Sequence, residues 1–350
     1  MISTTTSTMI LRMILLVNES PSLGLLYQQA LDENMQDVAI IHAQAHPLLS
    51  QLKQQCHRLH VQQHFKPDIH DLLRLGLEST TLQGQFEHIL LYPSKDKVQS
   101  LGWMASAFTH LKDGGKLSIA CANTHGAKSY ESALKKLVSP VYASSKAKCR
   151  VFSARKNDTL DVELQQTWLQ ASLPKISENH GLWAQAGMFS WKKADMGSTL
   201  LLQHLPKTLV GKGMDLCCGY GLLSAAILSS KPKLKAFHLV EADAFALACA
   251  QRNTEHADVM TYHHVDANTA SLPKHMDWVV CNPPFHRGHT RDVALGQNIV
   301  SRACGALKRG GELYLVANRQ LAYEKILQTQ LSVVETLAVG HGFKVIYGQR

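Results

Sequence analysis

The fold is decided by the stretch Trp278-Val279-Val280-Cys281-Asn282-Pro283-Pro284-Phe285. Its first four residues are apolar, which is typical of a strand buried on both faces of a parallel sheet. Two consecutive prolines cannot donate ladder hydrogen bonds, so the strand must end in a rigid loop at Asn282. The stretch therefore predicts a polar amide and an aromatic ring at the carboxyl end of a buried strand, where open α/β sheets bind ligands.

On both sides of this stretch, the C-terminal half alternates strand and helix patterns. Predicted strands are residues 213–216, 237–240, 262–265, 278–281 and 312–317, and predicted helices are residues 222–230, 245–252 and 293–307. Strands separated by helices imply a parallel, doubly wound sheet with right-handed crossovers. Residues 333–339 and 343–347 predict an antiparallel hairpin, which closes a seven-stranded mixed sheet.

The N-terminal half carries a weaker copy of the same pattern. Residues 86–93 resemble residues 276–283, and residues 111–117 resemble residues 307–313, in the same order. An internal duplication therefore predicts an α/β chain of two tandem Rossmann-like domains, although two unrelated α/β units would also fit. We expect a degenerate domain over 1–150, a connector over 151–182 and a catalytic domain over 183–350.

The copy is incomplete where chemistry would require it. Tyr92-Pro93-Ser94-Lys95 replaces the Asn-Pro-Pro-Phe corner, and no glycine-rich loop follows a strand in residues 1–90. The first domain is therefore expected to have no cofactor site, and to bind RNA or to support the second domain.

The composition favours a cytoplasmic protein with an anionic partner. The net charge is +9 with a pI of 9.1, and 19 histidines can add positive charge near a polyanion. The eight cysteines form no CxxC pair, so we expect free thiols in a reducing compartment and no metal site. No apolar run is long enough for a membrane span, so we expect no membrane partner and a monomer. Residues 9–17 are apolar but contain Arg12, which favours a first strand or an over-extended start over a signal peptide.

A glycine loop, Asp215 to Gly221, leaves a predicted strand and opens a helix. Gly219 and Gly221 permit a tight turn and close approach of a ligand, with Asp215 and Cys217 in the same loop. The dinucleotide motif G-x-G-x-x-G is absent, so the helix N-terminus is expected to face an amino-acid carboxylate.

Two acidic residues follow the next strands. Glu241 is placed to accept both ribose hydroxyl groups, and Asp266, beside Ala267, is placed to bind an adenine amino group. Together with the glycine loop they predict S-adenosylmethionine as the cofactor. Each acid taken alone would equally suit a surface or capping role.

The Asn-Pro-Pro-Phe corner suits methylation of a planar amino group. Asn282 and the Pro283 carbonyl would each accept one N–H of the amine, Pro284 would stiffen the loop, and Phe285 would stack on the ring. Asn282 would also border the cofactor. A paired base is out of reach, so the base must be flipped out or already unpaired. His286 and Arg287 either contact the substrate or are solvated loop charges.

Residues 183–350 resemble the class I S-adenosylmethionine-dependent methyltransferases. More narrowly they resemble the bacterial ribosomal RNA guanine-N2 methyltransferases, the small-subunit methyltransferase C family and its large-subunit relative. The matching residues are Phe189-Ser190, Asp195 to Ser198, Leu200 to Leu202, Asp215 to Gly221, Asn282 to His286 and Gly310 to Leu313.

The resemblance implies methyl transfer to the exocyclic N2 of a guanine in ribosomal RNA, with 16S rRNA or the 30S subunit as partner. It also implies that Phe189, Gly197 and Ser198 bind the substrate. The chain departs from the family at Cys217, where glycine is usual. The cysteine is expected to keep a negative φ, and its thiol is not expected to act as a nucleophile because no Pro-Cys pair occurs.

Other functions remain open from the sequence alone. The same corner would serve adenine N6 in RNA or DNA, the amide of a protein glutamine, or guanine N2 in large-subunit rRNA. A non-catalytic RNA-binding factor could keep the fold, whereas the missing dinucleotide motif argues against a nicotinamide dehydrogenase.

Overall fold

The computed structural model describes residues 20–231, 233–255, 258–284, 286–287 and 290–350. The chain divides into two compact units after Leu173. The first strand predicted over residues 9–17 lies outside the described residues. Within them, no helix combines the length and the apolar character that crossing a membrane requires.

The first unit is a mixed sheet with flanking helices. Its strands are β1 (Asp37–Ile41), β2 (Arg58–Gln62), β3 (Phe86–Leu91), β4 (Leu111–Ala122), β5 (Val141–Lys146) and β6 (Cys149–Arg155). Its helices are α1 (Pro21–Asp32), α2 (Pro47–Gln55), α3 (Lys66–Arg74), α4 (Lys97–His110), α5 (Ala127–Leu137) and α6 (Val162–Ser172). The order is β2-β1-β3-β4-β6-β5, with β5 and β6 antiparallel to their neighbours.

The predicted boundaries at 150 and 183 differ from this division. Residues 149–155 pair with β4 across the sheet, and α6 packs against α4 so closely that a Cβ on Gly102 would lie 2.1 Å from the Ser172 hydroxyl oxygen. Most of the expected connector therefore belongs to the first unit. Its polar composition reflects an exposed helix face and not a linker.

The second unit contains the predicted seven-stranded sheet. The elements before β12 are β7 (Lys175–Ile176), β8 (Trp183–Ala184), α7 (Met196–His204), β9 (Val210–Leu216), α8 (Leu222–Ser229), β10 (Lys233–Glu241), α9 (Ala244–Asn253) and β11 (Met260–His264). They are followed by β12 (Met276–Cys281), β13 (His286–Arg287), β14 (Thr290–Arg291), α10 (Val293–Ala306), β15 (Leu307–Asn318), α11 (Glu324–Gln328), β16 (Val333–Gly340) and β17 (Phe343–Gln349). The order β11-β10-β9-β12-β15-β17-β16, with β16 and β17 as an antiparallel hairpin, confirms the predicted fold.

Strand β12 lies in the middle of this sheet and is buried on both faces. Trp278 and Val280 point into the core beneath α7, α8 and α9, whereas Val279 and Cys281 point into the core beneath α10 and α11. The alternation explains why the strand reads as a continuous apolar run in the sequence. It also anchors Asn282, the next residue, at the carboxyl edge of a rigid sheet.

The two units repeat one another in detail. Gly114 and Gly310 both have a φ of +75°, and a Cβ on the following Gly115 or Gly311 would lie 2.8 Å from a backbone carbonyl oxygen. The equivalent strand pairs β3–β4 and β12–β15 carry a register shift near these glycines. Two α/β sheets with the same local features in one chain agree with the predicted duplication.

The carboxyl edge of the first sheet is filled by aromatic rings. His42, which follows β1, packs on Trp103 with ring centroids 4.8 Å apart, and both rings contact His64. Gln63 stands after β2, and its side-chain oxygen accepts hydrogen bonds from the backbone N–H groups of His64 and Phe65. These side chains occupy the edge that corresponds to the ligand edge of the second sheet, which supports the proposal of a domain without a cofactor site.

Candidate active site

The carboxyl ends of β9, β10 and β12 meet at the switch point of the second sheet. A cavity of about 40 Å³ lies there, lined in part by Phe189, Asp195, Ser198, Cys217, Gly219 and Asn282. The fold therefore brings together three sequence motifs that are distant along the chain: the segment before α7, the glycine loop and the Asn-Pro-Pro corner.

Asn282 is held in one orientation by the start of α7. Its side-chain nitrogen donates to Asp195 Oδ2 over 3.0 Å and to the Ser198 hydroxyl oxygen over 2.8 Å. With both N–H groups occupied, the side-chain oxygen accepts no hydrogen bond from the described residues and is the atom that remains for a ligand. The arrangement presents a hydrogen-bond acceptor at the edge of the cavity.

Asp195, which holds the Asn282 side chain, also caps a helix. Asp195 is the N-cap of α7, and the same Oδ2 that binds Asn282 also accepts from the Ser198 backbone N–H over 2.7 Å. Gly197 lies beneath Phe343, where a Cβ would lie 2.8 Å from the ring. Gly197 thus has a packing role, and Ser198 borders the cavity, while the substrate contacts predicted for both residues stay predictions.

The glycine loop joins β9 to α8 through left-handed backbone. Gly219 has a φ of +55° and open space where a Cβ would stand, which allows a ligand to approach the backbone. Gly221, with a φ of +83°, packs on α9, where a Cβ would lie 3.1 Å from Ala250. Gly219 thus suits ligand contact, and Gly221 allows close packing of the loop on the neighbouring helix.

Cys217 does not keep the expected negative φ. Its φ is +64°, and its backbone N–H donates to the Val240 carbonyl over 2.9 Å, which holds the strained conformation in place. The reason is geometric, since the chain must turn sharply where β9 meets the loop. His42 occupies the same point after β1, with a φ of +58°. The hydrogen bond with the neighbouring Cys281 thiol, together with burial, raises the pKa of Cys217 well above its usual value, which argues against a nucleophilic role.

We expect Cys217→Gly to raise the free energy of unfolding of the second unit by about 0.5–1 kcal/mol, because left-handed backbone is costly for a residue with a Cβ. Cys218→Gly is the matched control. Cys218 lies in the core with an ordinary φ, so this variant should be less stable than the wild type. Urea unfolding of the three proteins measures the effect, and a destabilised Cys217→Gly protein would contradict it.

Glu241 ends β10 with its carboxylate turned toward the glycine loop. One oxygen accepts from the Gly219 backbone N–H over 2.8 Å, and the other accepts from the backbone N–H groups of Ala242 and Asp243. The oxygen that binds Gly219 retains one free lone pair. The geometry therefore leaves room for one ribose hydroxyl, whereas the sequence predicted that Glu241 would accept both.

Asp215 is fully buried beneath the loop. Its Oδ2 accepts from the Ser224 hydroxyl over 2.6 Å, and its Oδ1 has no hydrogen-bond partner among the described residues. Burial raises the pKa of this carboxyl from the ordinary 3.8 to about 7. The side chain supports the loop from below, and the unpartnered oxygen is an acceptor that the fold leaves unused.

The raised pKa of Asp215 predicts a pH-dependent stability. Because the folded state keeps the proton up to about pH 7 and the unfolded chain releases it near pH 4, stability falls as the pH rises through this window. Between pH 5 and pH 8 the loss from this group should be about 2 kcal/mol. Urea unfolding at both pH values should show a smaller decrease for Asp215→Asn than for the wild type, and equal decreases would exclude Asp215 as the cause.

Asp266 and Ala267 differ in what they offer. The two carboxylate oxygens of Asp266 cap the turn after β11 by accepting from the Asn268 backbone N–H and the Thr269 hydroxyl. The residue is half-buried, so its remaining lone pairs are available to an adenine amino group. Ala267 lies in the hydrophobic core with 6% of its surface exposed, and its contact with the cofactor stays a prediction.

The rest of the predicted corner is described in part. Pro283 is buried and Pro284 is exposed, whereas Phe285 lies outside the described residues. The backbones of His286 and Arg287 form the two-residue strand β13, paired with β14. Phe189 is 63% exposed beside the cavity, so it is the described aromatic ring available to stack on a planar substrate.

The sequence analysis missed Asn253, whose side chain connects the glycine loop to the segment around Trp183. Asn253, at the end of α9, accepts from the Trp183 backbone N–H and donates to the carbonyl groups of both Trp183 and Tyr220. The loop residue Tyr220 in turn stacks on His180, with ring centroids 4.9 Å apart. An asparagine at a helix end gives no signal that it binds backbone 33 and 70 residues away.

The site fits the predicted adenosyl cofactor in its chemistry. The free Cβ position at Gly219, the lone pair of Glu241 and the carboxylate of Asp266 lie at successive strand ends. The cavity admits only a few atoms, so most of the ligand would lie along the half-buried strand ends. Among the described residues no group of three or more His, Cys, Asp and Glu side chains suits a metal ion.

Strand order and site together define the class of protein: the second unit is a methyltransferase of the class I architecture. The chain belongs to the methyltransferase small domain family. The family model for this domain matches residues 179–347, and the model for the family's N-terminal domain matches residues 25–171.

Relatives match most of the length of this chain. The chain is 28% identical to the ribosomal RNA small subunit methyltransferase C of Psychromonas ingrahamii over 75% of each chain. It is 29% identical to that of Shewanella piezotolerans over 74% of this chain and 76% of the relative. A solved structure of the T. thermophilus 16S rRNA N2 G1207 methyltransferase, in complex with AdoMet and guanosine, superposes with a TM-score of 0.78 at 21% identity, covering 95% of this chain and 92% of that chain.

Proposed function

We propose that the protein transfers a methyl group from S-adenosylmethionine to the exocyclic N2 of a guanine in ribosomal RNA, with 16S rRNA of the small subunit as the substrate. The observation that carries the proposal is the orientation of Asn282, whose amide nitrogen is occupied by Asp195 and Ser198. The names of the relatives support small-subunit ribosomal RNA as the substrate, and the net charge of +9 suits a polyanionic partner.

The lone pair of the guanine N2 is delocalised into the ring, so the protein must make it available for methyl transfer. When bound, the cofactor supplies an electrophilic methyl group. The Asn282 oxygen and the Pro283 carbonyl would accept the two N–H groups of the guanine amine, which favours a pyramidal nitrogen. The oriented acceptors provide positioning and electrostatic stabilisation, and no covalent intermediate on the protein is needed.

The proposed substrate-binding roles rest on a different observation for each residue. Phe189 offers a ring for stacking on the guanine, and Ser198 fixes the amide that the guanine meets. His286 and Arg287 follow the corner directly and are proposed to contact the flanking RNA. Because a paired guanine cannot reach the cavity, the base must leave its helix.

Transfer of radiolabelled methyl from S-adenosylmethionine tests the proposal. Substrates are small subunits, large subunits, free rRNA and DNA, with the ribosomal material taken from cells that lack this gene. Label recovered as N2-methylguanosine in small-subunit RNA is the expected result. Label in N6-methyladenosine, in large-subunit RNA or in a protein glutamine would replace the proposal with the corresponding alternative.

A further inference from the structure

The outer side of the first turn of α7 borders a second, larger cavity. Its volume is about 280 Å³, and its lining includes Lys193, Met196, Thr199, Gln203 and His341. We call it the outer groove. Asp195 and Ser198 line the inner cavity, whereas Met196 and Thr199 line the outer groove, so one helical turn separates the two spaces.

Three polar side chains around the outer groove have no partner among the described residues. The side chains of Lys193, Gln203 and His341 make no hydrogen bond or ion pair with the described residues. All three are exposed; Lys193 lies in the loop before α7, and His341 lies in the turn between β16 and β17. A lysine and a histidine from two distant segments thus line one groove.

The floor of the outer groove is apolar. Met196, the first residue of α7, is 52% exposed, and Leu200, which is 8% exposed, also lines the groove. Asn179 donates its amide nitrogen to the Lys192 carbonyl over 2.7 Å, and its side-chain oxygen takes no part in this bond. Apolar side chains, two amides, a lysine and a histidine in one groove suit a nucleotide better than an apolar peptide or a lipid, because lysine and amide side chains contact phosphates and base edges.

The position of the outer groove further limits which ligand can bind there. The two cavities are lined by neighbouring residues of the first turn of α7, so a strand that enters the inner cavity passes close to the outer groove. A guanine inserted at Asn282 would therefore place the next nucleotide of the same strand over α7.

We propose that the outer groove binds the nucleotide adjoining the methylated guanine. Its phosphate contacts Lys193 and His341, its base packs on Met196, and the amides of Gln203 and Asn179 contact the base edge. The site rests on the proposed function, because it takes the methylated strand as its ligand, and it adds a subsite that holds this strand after the guanine has left its helix.

The test measures methyl transfer to small subunits, or to the rRNA that the wild type methylates, as a function of RNA and salt concentration. Lys193→Ala with His341→Ala should raise the KM for RNA about tenfold and lower the slope of log KM against log salt by about one for each phosphate that the variant no longer binds. The affinity for S-adenosylmethionine, measured by calorimetry, should not change. Gln203→Ala should raise KM without changing the salt slope.

Lys233→Ala is the matched control. Lys233 is an exposed lysine at the amino end of β10, on the opposite edge of the sheet, so its removal changes the net charge but not the groove. An unchanged KM in the double variant, or an equal rise in the control, would overturn the subsite. Failure of the wild type to methylate any RNA would instead contradict the proposed function. In that case the fluorescence anisotropy of a fluorescein-labelled single-stranded RNA still measures binding at the groove. Equal affinity of the double variant and of Lys233→Ala for this probe would overturn the proposed subsite.

Discussion

Asn282→Ala should lower the rate of methyl transfer by about 10²–10³-fold, the usual cost of removing one oriented electrostatic contact to a reacting group. The decrease should appear in kcat at saturating RNA, because the amide acts on the amine and not on the bulk of the substrate. Binding of S-adenosylmethionine, measured by calorimetry, should change by less than about threefold, since Gly219, Glu241 and Asp266 remain.

Two further variants separate orientation from simple presence. Ser198→Ala removes one of the two acceptors that hold the Asn282 amide nitrogen, so we expect a smaller decrease than for Asn282→Ala. Asn123→Ala removes an exposed asparagine that follows β4 in the first unit and should keep wild-type kinetics. If Asn282→Ala kept the wild-type kcat at saturating S-adenosylmethionine but bound this cofactor much more weakly, the amide would belong to the cofactor site and not to the substrate amine.

Gly213→Ala should strongly destabilise the second unit. A Cβ on Gly213 would lie 2.0 Å from the indole of Trp278, which is buried between β12 and the overlying helices. Trp278 also donates its indole N–H to the Val210 carbonyl over 3.1 Å, so the ring cannot move aside without breaking a hydrogen bond. We expect a decrease of at least about 3 kcal/mol in the free energy of unfolding, with a Tm decrease of roughly 10 °C.

Gly305→Ala provides the control for this prediction. Gly305 lies in α10, and the nearest atom to an added Cβ is the Lys274 ammonium nitrogen at 3.9 Å. This variant should gain about 0.5–1 kcal/mol, because alanine favours a helix more than glycine does. Trp278→Leu should cost less in the Gly213→Ala background than alone, since the smaller side chain relieves the clash. Additive effects would show that the clash is not the cause.

The spacing of apolar residues and the positions of glycine and proline were sufficient to predict the second sheet. The run from Trp278 to Cys281 predicted a doubly buried strand, and the hairpin glycines at 340 and 342 placed the antiparallel end. Both signals are local, since they depend on which residues a strand or a turn accepts. The boundary after Leu173 was not predicted, because the packing of α6 on α4 is a tertiary contact that polar helix residues do not announce.

The site was predictable as a set of strand ends but not in its hydrogen bonding. The sequence placed Asn282, Glu241 and Asp215 at one edge, and all three lie at the ends of neighbouring strands. The backbone partners of Glu241 depend on where the loop returns, which no spacing encodes. The positive φ of Cys217 was missed for a different reason, since a residue with a Cβ normally signals ordinary backbone.

Asn253 has a thermodynamic consequence for the order in which ligands bind. One amide holds Tyr220 of the glycine loop and Trp183 of the segment leading to Phe189, so a displacement of either backbone strains the hydrogen bonds to the other. If both ligands favour the clamped arrangement, each must raise the affinity for the other by the same factor, because coupling free energies are reciprocal. The ligand that binds first would then supply part of the free energy needed to order the site for the second. Cofactor and RNA would act as heterotropic effectors of one another.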